Sequence, residues 1–182
     1  MRFQETAISG AFRVHASPCR DERGFFARTF ERGAFAEQGL SACIEQASVS
    51  WNAKRGTLRG MHWQVAPHEE AKLVTCVRGA IYDVLLDMRE GSSTWGLWAV
   101  FGLREDEPVA LYVPPGVAHG FQTLVDDTLV LYQMSAAYEP LSSAAVRFDD
   151  PAFDILWPIA DPIVSERDRT HPLTPKRLRC AS

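Results

Sequence analysis

A series of short apolar runs, each ending in turn-forming residues, most constrains what this chain can fold into. The runs are rich in Val, Leu, Tyr and Trp and cover residues 71–77, 80–88, 95–103, 109–113 and 128–134. Strand-length runs of this composition predict an all-β sandwich or barrel. Alternate residues of each strand would then line the interior. Gly79, between two runs, is predicted to form a tight turn.

Two segments have a helical pattern. Residues 32–38 (RGAFAEQ), closed by Gly39, predict one or two helical turns, and a second short helix is predicted near residues 165–168. The tail from Asp149 is rich in Pro and Asp and is expected to wrap over the sandwich. The chain has 182 residues and no repeat or linker, which predicts a single domain over residues 1–182.

Charge and composition argue against several classes of partner. A net charge of −4 and a pI near 5.7 disfavour nucleic acid, so any bound anion needs a local cluster of Arg, Lys and His. No apolar run is long enough for a transmembrane helix, and no signal-peptide pattern is present. The scattered cysteines (Cys19, Cys43, Cys76 and Cys180) predict reduced thiols. We therefore expect a cytoplasmic protein that binds neither nucleic acid nor membrane.

Residues 55–64 (RGTLRGMHWQ) place His62 in a predicted strand with polar neighbours. A neutral imidazole there can act as a base, and Arg59 can hold an anionic substrate. Because Arg59, Gln64 and Lys72 are too polar for a purely structural strand, we favour a functional His62. Strand alternation would put Arg59 and His62 on opposite faces, unless Gly60 marks a bulge.

Residues 115–121 (PGVAHGF) present His119 after a Pro-Gly turn, in a pattern that resembles the second histidine box of cupins. A metal-dependent cupin enzyme, such as a dioxygenase or isomerase, is therefore an alternative, with His62, His68, Glu69 and His119 as ligands. Gln64 stands where the first box needs a second histidine, which leaves a poor ligand set. Metal catalysis is thus the minor alternative.

Four further side chains are candidates with open roles. Tyr132 and Tyr138 are either strand aromatics or a proton donor and a stacking surface. Lys72 is either a solvated side chain or a cation that stabilises an enolate oxygen. Asp168 is a tail carboxylate, a residue type that is usually exposed.

These residues lie in motifs that resemble the dTDP-4-dehydrorhamnose 3,5-epimerase family, metal-free members of the cupin superfamily. The motifs comprise residues 23–26 (RGFF), 56–64, 72–74 (KLV), 83–84, 87–89, 115–121, 132, 138–140, 149–151 and 157–158. The resemblance implies a cupin-type double-stranded β-helix, or jelly roll, with a few short helices. It also implies a homodimer with domain-swapped N-terminal strands.

By the same resemblance, the chain would invert C3, C5 or both of a nucleotide-diphospho-4-keto-6-deoxy sugar, without metal or cofactor. His62 would be the base, oriented by Asp168; Tyr132 would be the acid on the opposite face, and Lys72 would stabilise the enolate. The implied substrate-binding residues are Arg23 from the other subunit, Arg59, Gln46, Ser48, His119, Tyr138 and Arg167.

Three departures from the family pattern leave the nucleotide open. Arg28 replaces an acidic residue, Ser48 replaces an asparagine, and residues 142–144 (SSA) replace charged residues. Because the first two belong to the nucleotide-binding part of the resemblance, CDP- and GDP-linked sugars are alternatives to dTDP-linked ones. A non-catalytic sugar-nucleotide binder of the same fold is a third alternative.

Overall fold

The computed structural model describes residues 1–174, which form two large, mainly antiparallel sheets and one small hairpin. The first sheet contains, in spatial order, β1 (Arg2–Glu5), β2 (Phe12–His15), β10 (Val109–Val113), β7 (Lys72–Arg78), β12 (Thr128–Met134) and β5 (Gln46–Asn52). The second contains β13 (Ser143–Ala145), β6 (Thr57–Gln64), β11 (Val117–Thr123), β8 (Ala80–Asp87) and β9 (Trp98–Arg104), with β14 (Ile163–Val164) parallel to β6. The hairpin is β3 (Cys19–Asp21) and β4 (Gly24–Phe26).

The helices are short, as predicted. They are α1 (Arg32–Glu37) and α2 (Glu166–Thr170), with a 3-10 turn at Pro140–Ser142. The all-β architecture with few helices is therefore confirmed. Within residues 1–174, no helix is long and apolar enough to cross a membrane.

One predicted strand needs correction, and the predicted tight turn at Gly79 is present in an unexpected setting. The strand predicted over residues 95–103 begins only at Trp98. The residues before Trp98 form a turn around the buried Asp87, whose carboxylate accepts hydrogen bonds from the Ser92 and Thr94 hydroxyls. Gly79 has a φ of +83° and does form a tight turn, but its flanking strands β7 and β8 lie in different sheets. It is therefore a corner between the layers and not the turn of a hairpin.

The main core lies between the two sheets. Val74, Cys76 and Val130 of the first sheet meet Ile81, Leu85 and Phe121 of the second, all almost fully buried. Each large apolar side chain buried in this way contributes roughly 1.5–3 kcal/mol. Burial raises the pKa of the Cys76 thiol to about 11, which keeps it protonated. Cys19 and Cys43 are also free thiols, and Cys180 lies outside the described residues.

Each sheet is also covered on its outer face. Phe35 of α1 packs against the first sheet in a cluster with Val14, Leu73 and Tyr112. The tail that follows β13 supplies Val146 and Ile155, which pack with Met61, Val84 and Ala118 of the second sheet. The predicted wrapping of the tail is confirmed, and it brings α2 back to β6.

Candidate active site

A polar cleft replaces the apolar core at one end of the sandwich. The same inward strand faces that carry core residues turn polar there, with Lys72 before Val74 on β7 and Tyr132 after Val130 on β12. Two adjoining cavities of about 430 and 280 Å³ share Ser48, His62, Lys72, Tyr132 and Arg167 as lining residues. Their combined size suits a small-molecule ligand.

A β-bulge at Gly60 brings Arg59 and His62 to the same face. In the pairing of β6 with β11, His62 lies opposite His119 and Arg59 opposite Phe121, so β6 has one extra residue between them. Gly60 has a φ of +143°, and a Cβ on it would lie 2.5 Å from the Cα of Gly120. Only glycine fits this conformation and this close approach. A bulge, which the sequence left as one of several ways for Arg59 to reach the face of His62, is therefore present.

His62 is held by a buried carboxylate of the C-terminal segment. Its Nε2 lies 2.7 Å from Oδ1 of Asp168, which is only 4 % exposed. Ser165 caps α2 by accepting a hydrogen bond from the Asp168 backbone N–H, which fixes the position of that residue.

The protonation states within this pair follow from the contacts. Burial opposes ionisation of Asp168, but the hydrogen bond and charge of His62, with the Gly60 N–H, hold the pKa of Asp168 below its usual value. An ionised carboxylate only accepts hydrogen bonds, so Nε2 of His62 carries a proton. In the neutral ring, Nδ1 is then the nitrogen that can take a second proton.

Lys72 lies deep in the cleft, next to His62. Its Nζ donates to the backbone carbonyl of His62 at 3.2 Å and forms an ion pair with Oε1 of Glu70 at 3.3 Å. Burial lowers the pKa of Lys72, while the negative charge of Glu70 acts in the opposite direction. The ammonium group is thus a poorly hydrated cation within the cleft.

His119, the cross-strand partner of His62, packs edge to face against Tyr132 of the other sheet, with ring centroids 5.8 Å apart. Nε2 of His119 lies 3.0 and 2.9 Å from the two carboxylate oxygens of the buried Asp83, and burial raises the pKa of that acid. Burial and the Asp83 charge raise the pKa of the Tyr132 phenol far above its usual value. The phenol therefore stays protonated and available as a donor.

Two arginines make the cleft cationic. Arg59 is fixed by a 2.8 Å hydrogen bond from its Nε to the Asn52 side chain, and Arg167 of α2 donates to Ser143 at 3.1 Å. Both line the cleft together with Ser48 of β5. Guanidinium groups of this kind bind phosphate oxygens in pairs of hydrogen bonds.

Three of the predicted binding residues do not line the larger cavity. Tyr138 is 53 % exposed and lines the smaller cavity, whereas Gln46 does not line the cleft and accepts a hydrogen bond from the Tyr138 backbone at 2.8 Å. Gln46 thus positions Tyr138. Arg23 is exposed on the β3–β4 hairpin, paired with Asp21, and is not among the residues that line the cleft of its own chain.

The four ligands of the metal-cupin alternative are not brought together. His68 and Glu69 are exposed, and His119 is bound to Asp83. In the described part of the chain, ligand atoms of His62, Asp168 and His171 do lie within 4.8 Å of one another. This group shares only His62 with the predicted metal set, so that prediction gains no support from the geometry.

Several residues of the site had been given no role from the sequence. The position of Asp83 could have been found from the sequence, because alternation along β8 puts this carboxylate on the same inward face as the core residues Ile81 and Leu85. Glu70 precedes its strand in a loop, and no pattern in the sequence assigns it to the cleft. Likewise, no pattern in the sequence indicates that Asn52 fixes Arg59.

Comparison with known proteins agrees with this geometry. The profile of dTDP-4-dehydrorhamnose 3,5-epimerase matches residues 5–175. The chain belongs to the dTDP-4-dehydrorhamnose 3,5-epimerase family. A protein of this name from Sinorhizobium fredii is 36 % identical over 173 residues, which is 94 % of this chain and 89 % of the relative.

Solved structures of the dTDP-4-dehydrorhamnose 3,5-epimerase family have the same fold. The Bacillus anthracis enzyme, solved with TDP and PPi bound, is 36 % identical with a TM-score of 0.92, covering 95 % of this chain and 99 % of that one. ChmJ, a 3'-monoepimerase from Streptomyces bikiniensis solved with dTDP-quinovose, is 33 % identical with a TM-score of 0.87, covering 92 % and 85 %. The predicted class, a nucleotide-sugar epimerase, is confirmed.

Proposed function

We propose that the cleft inverts C3, C5 or both of a dTDP-linked 4-keto-6-deoxy sugar by proton transfer through an enolate. The observation that carries the proposal is the pairing of His62 with Asp168 on one wall of a cleft whose opposite wall presents a protonated Tyr132. Inversion at carbon needs a base on one face and an acid on the other.

In the first step, Nδ1 of His62 takes the proton from the carbon next to the C4 carbonyl. The electron pair of the broken C–H bond forms a C–C double bond, and the carbonyl electrons move to O4. The Asp168 carboxylate stabilises the imidazolium that results. The Lys72 ammonium stabilises the charge on O4, where its low hydration strengthens the interaction.

In the second step, the Tyr132 phenol gives its proton to the opposite face of the same carbon, and the carbonyl re-forms. The tyrosinate then regains a proton from solvent, and His62 releases one. The nearby charge of Arg59 favours the transient tyrosinate. His119, held by Asp83 beside the phenol, contacts the sugar.

The rest of the cleft binds the nucleotide. Arg59 and Arg167 hold the diphosphate, Ser48 contacts the nucleotide, and the exposed ring of Tyr138 stacks on the base. The thymidine assignment rests on the two related structures, solved with TDP and with dTDP-quinovose. ChmJ, a 3'-monoepimerase, supports inversion at C3 alone as a second form of the reaction.

We further propose a homodimer in which Arg23 of one subunit enters the cleft of the other. Here β1 pairs with β2, and β2 pairs with β10 of the same chain, so the segment proposed to cross is the β3–β4 hairpin. Its Phe25 and Phe26 are 45 % and 77 % exposed, which favours burial against a second copy. In a homodimer, Arg23→Ala should lower activity without changing the cleft of its own chain.

Hydrogen exchange in D₂O tests the function directly. Incubation with dTDP-4-keto-6-deoxyglucose should introduce deuterium at C3, C5 or both, read by NMR. Parallel reactions with the CDP- and GDP-linked sugars test the nucleotide. Exchange with none of the three would overturn the proposal, and exchange with a CDP- or GDP-linked sugar alone would overturn only the thymidine assignment.

A further inference from the structure

Glu70 and Lys72 form an ion pair that is almost fully enclosed. The distance from Oε1 of Glu70 to Nζ of Lys72 is 3.3 Å, and the two side chains are only 9 % and 11 % exposed. Glu70 lines the smaller cavity, beside Tyr138 and Arg167. It has no role among the groups that transfer protons.

A buried ammonium ion needs a counter-ion, because burial alone favours the neutral amine. The other titratable or charged groups that line the cleft around Lys72 are Arg59, His62, His119, Tyr132, Tyr138, Arg167 and Asp168. Apart from Asp168, none of these supplies a negative charge to Lys72, because two are arginines, two are imidazoles and two are phenols. Asp168 is negatively charged, but its carboxylate is already bound to His62.

We propose that Glu70 is a positioning residue for the epimerisation, whose carboxylate keeps Lys72 in the ammonium form. It also fixes Nζ between the Glu70 carboxylate and the His62 carbonyl, at 3.3 and 3.2 Å. This inference rests on the proposed role of Lys72 in stabilising the enolate. Glu70 itself acts only through Lys72.

The proposal has a consequence for the pH dependence. Burial lowers the pKa of Lys72 and raises that of Tyr132, so Lys72 loses its proton first as the pH rises. The alkaline limb of kcat then reports Lys72. Removal of the Glu70 charge lowers the pKa of Lys72 further, so this limb moves to lower pH.

The pKa of Lys72 can be measured directly because the chain has only three lysines, Lys54, Lys72 and Lys176. With lysine labelled by ¹³C at Cε, the signal lost in Lys72→Met assigns Lys72. Its pKa should be about 1–3 units lower in Glu70→Gln, as expected for loss of an opposite charge at this range. Glu69→Gln, an exposed neighbour, is the matched control and should leave the pKa unchanged.

Kinetics complete the test. In Glu70→Gln, the alkaline limb of kcat for D₂O exchange should move down by the same amount, with KM little changed. Glu70→Asp keeps the charge, should show a smaller shift, and replaces Glu70→Gln if that variant does not fold. An unchanged Lys72 pKa in Glu70→Gln refutes the proposal, since a purely structural Glu70 would alter only thermal stability. Wild-type exchange by Lys72→Met would instead refute the proposed role of Lys72.

Discussion

Replacement of Asp168 by asparagine should disable His62 as a base while leaving the cleft intact. The 2.7 Å bond from Nε2 of His62 to the carboxylate is charge-assisted and buried. Bonds of this type contribute about 1.5–3 kcal/mol, which corresponds to roughly 10- to 150-fold in rate at 1.36 kcal/mol per factor of ten.

The amide adds a second effect. Its nitrogen can donate to Nε2, which would place the ring proton on Nδ1, the nitrogen that must accept the substrate proton. This change of tautomer costs more than the lost charge alone, so we expect a total loss on the order of 10²–10⁴ in kcat.

The assay is the initial rate of deuterium incorporation at C3 and C5 under saturating dTDP-4-keto-6-deoxyglucose. Asp168→Glu, which keeps the charge, should retain more activity than Asp168→Asn. Binding of dTDP and the melting temperature serve as controls, since neither depends on the ring tautomer. A loss of kcat of about tenfold or less in a folded, dTDP-binding Asp168→Asn would refute the tautomer argument, because the lost charge alone accounts for a loss of that size.

Three further predictions concern separate parts of the molecule. Tyr132→Phe should slow reprotonation on one face but leave some exchange, and NMR showing wild-type epimerisation would remove Tyr132 from the mechanism. Gly60→Ala should lower the free energy of unfolding by about 2–4 kcal/mol in urea titrations, because the new Cβ meets the Gly120 backbone and the φ of +143° disfavours alanine. The control is Gly102→Ala, whose Cβ meets no atom and which should change the free energy of unfolding by less than about 1 kcal/mol. The pKa of Asp87 is lowered to about 2, since hydrogen bonds from Arg89, Ser92 and Thr94 outweigh burial. The ionised Asp87 carboxylate should therefore stabilise the fold by about 2 kcal/mol above pH 4, and this contribution should be lost as the pH falls to 2. Melting temperatures measured across this pH range should show the loss in the wild type and not in Asp87→Asn.

The sequence predicted the interior strands well because their inner faces are apolar. The runs 109–113 and 128–134 coincide with β10 and β12, and residues 71–77 and 80–88 match β7 and β8 to within one residue. A bulge at Gly60 was one alternative that the sequence suggested, because Arg59 and His62 otherwise diverge. The corner at Gly79 could not be recognised, since a turn between two sheets and a turn within one both favour glycine.

The apolar pattern misses β5, among other strands, and for β5 the reason is functional. Its inward positions are Gln46, Ser48, Ser50 and Asn52, of which the two serines line the cleft and Asn52 fixes Arg59. An edge strand with a polar inner face cannot be stabilised by apolar burial there, and its register instead follows from continuous pairing with β12. The failure of the hydrophobic pattern at a paired strand therefore indicates the position of the site itself. The same reasoning applies to Lys72 and Tyr132, the polar positions that interrupt the inner faces of β7 and β12.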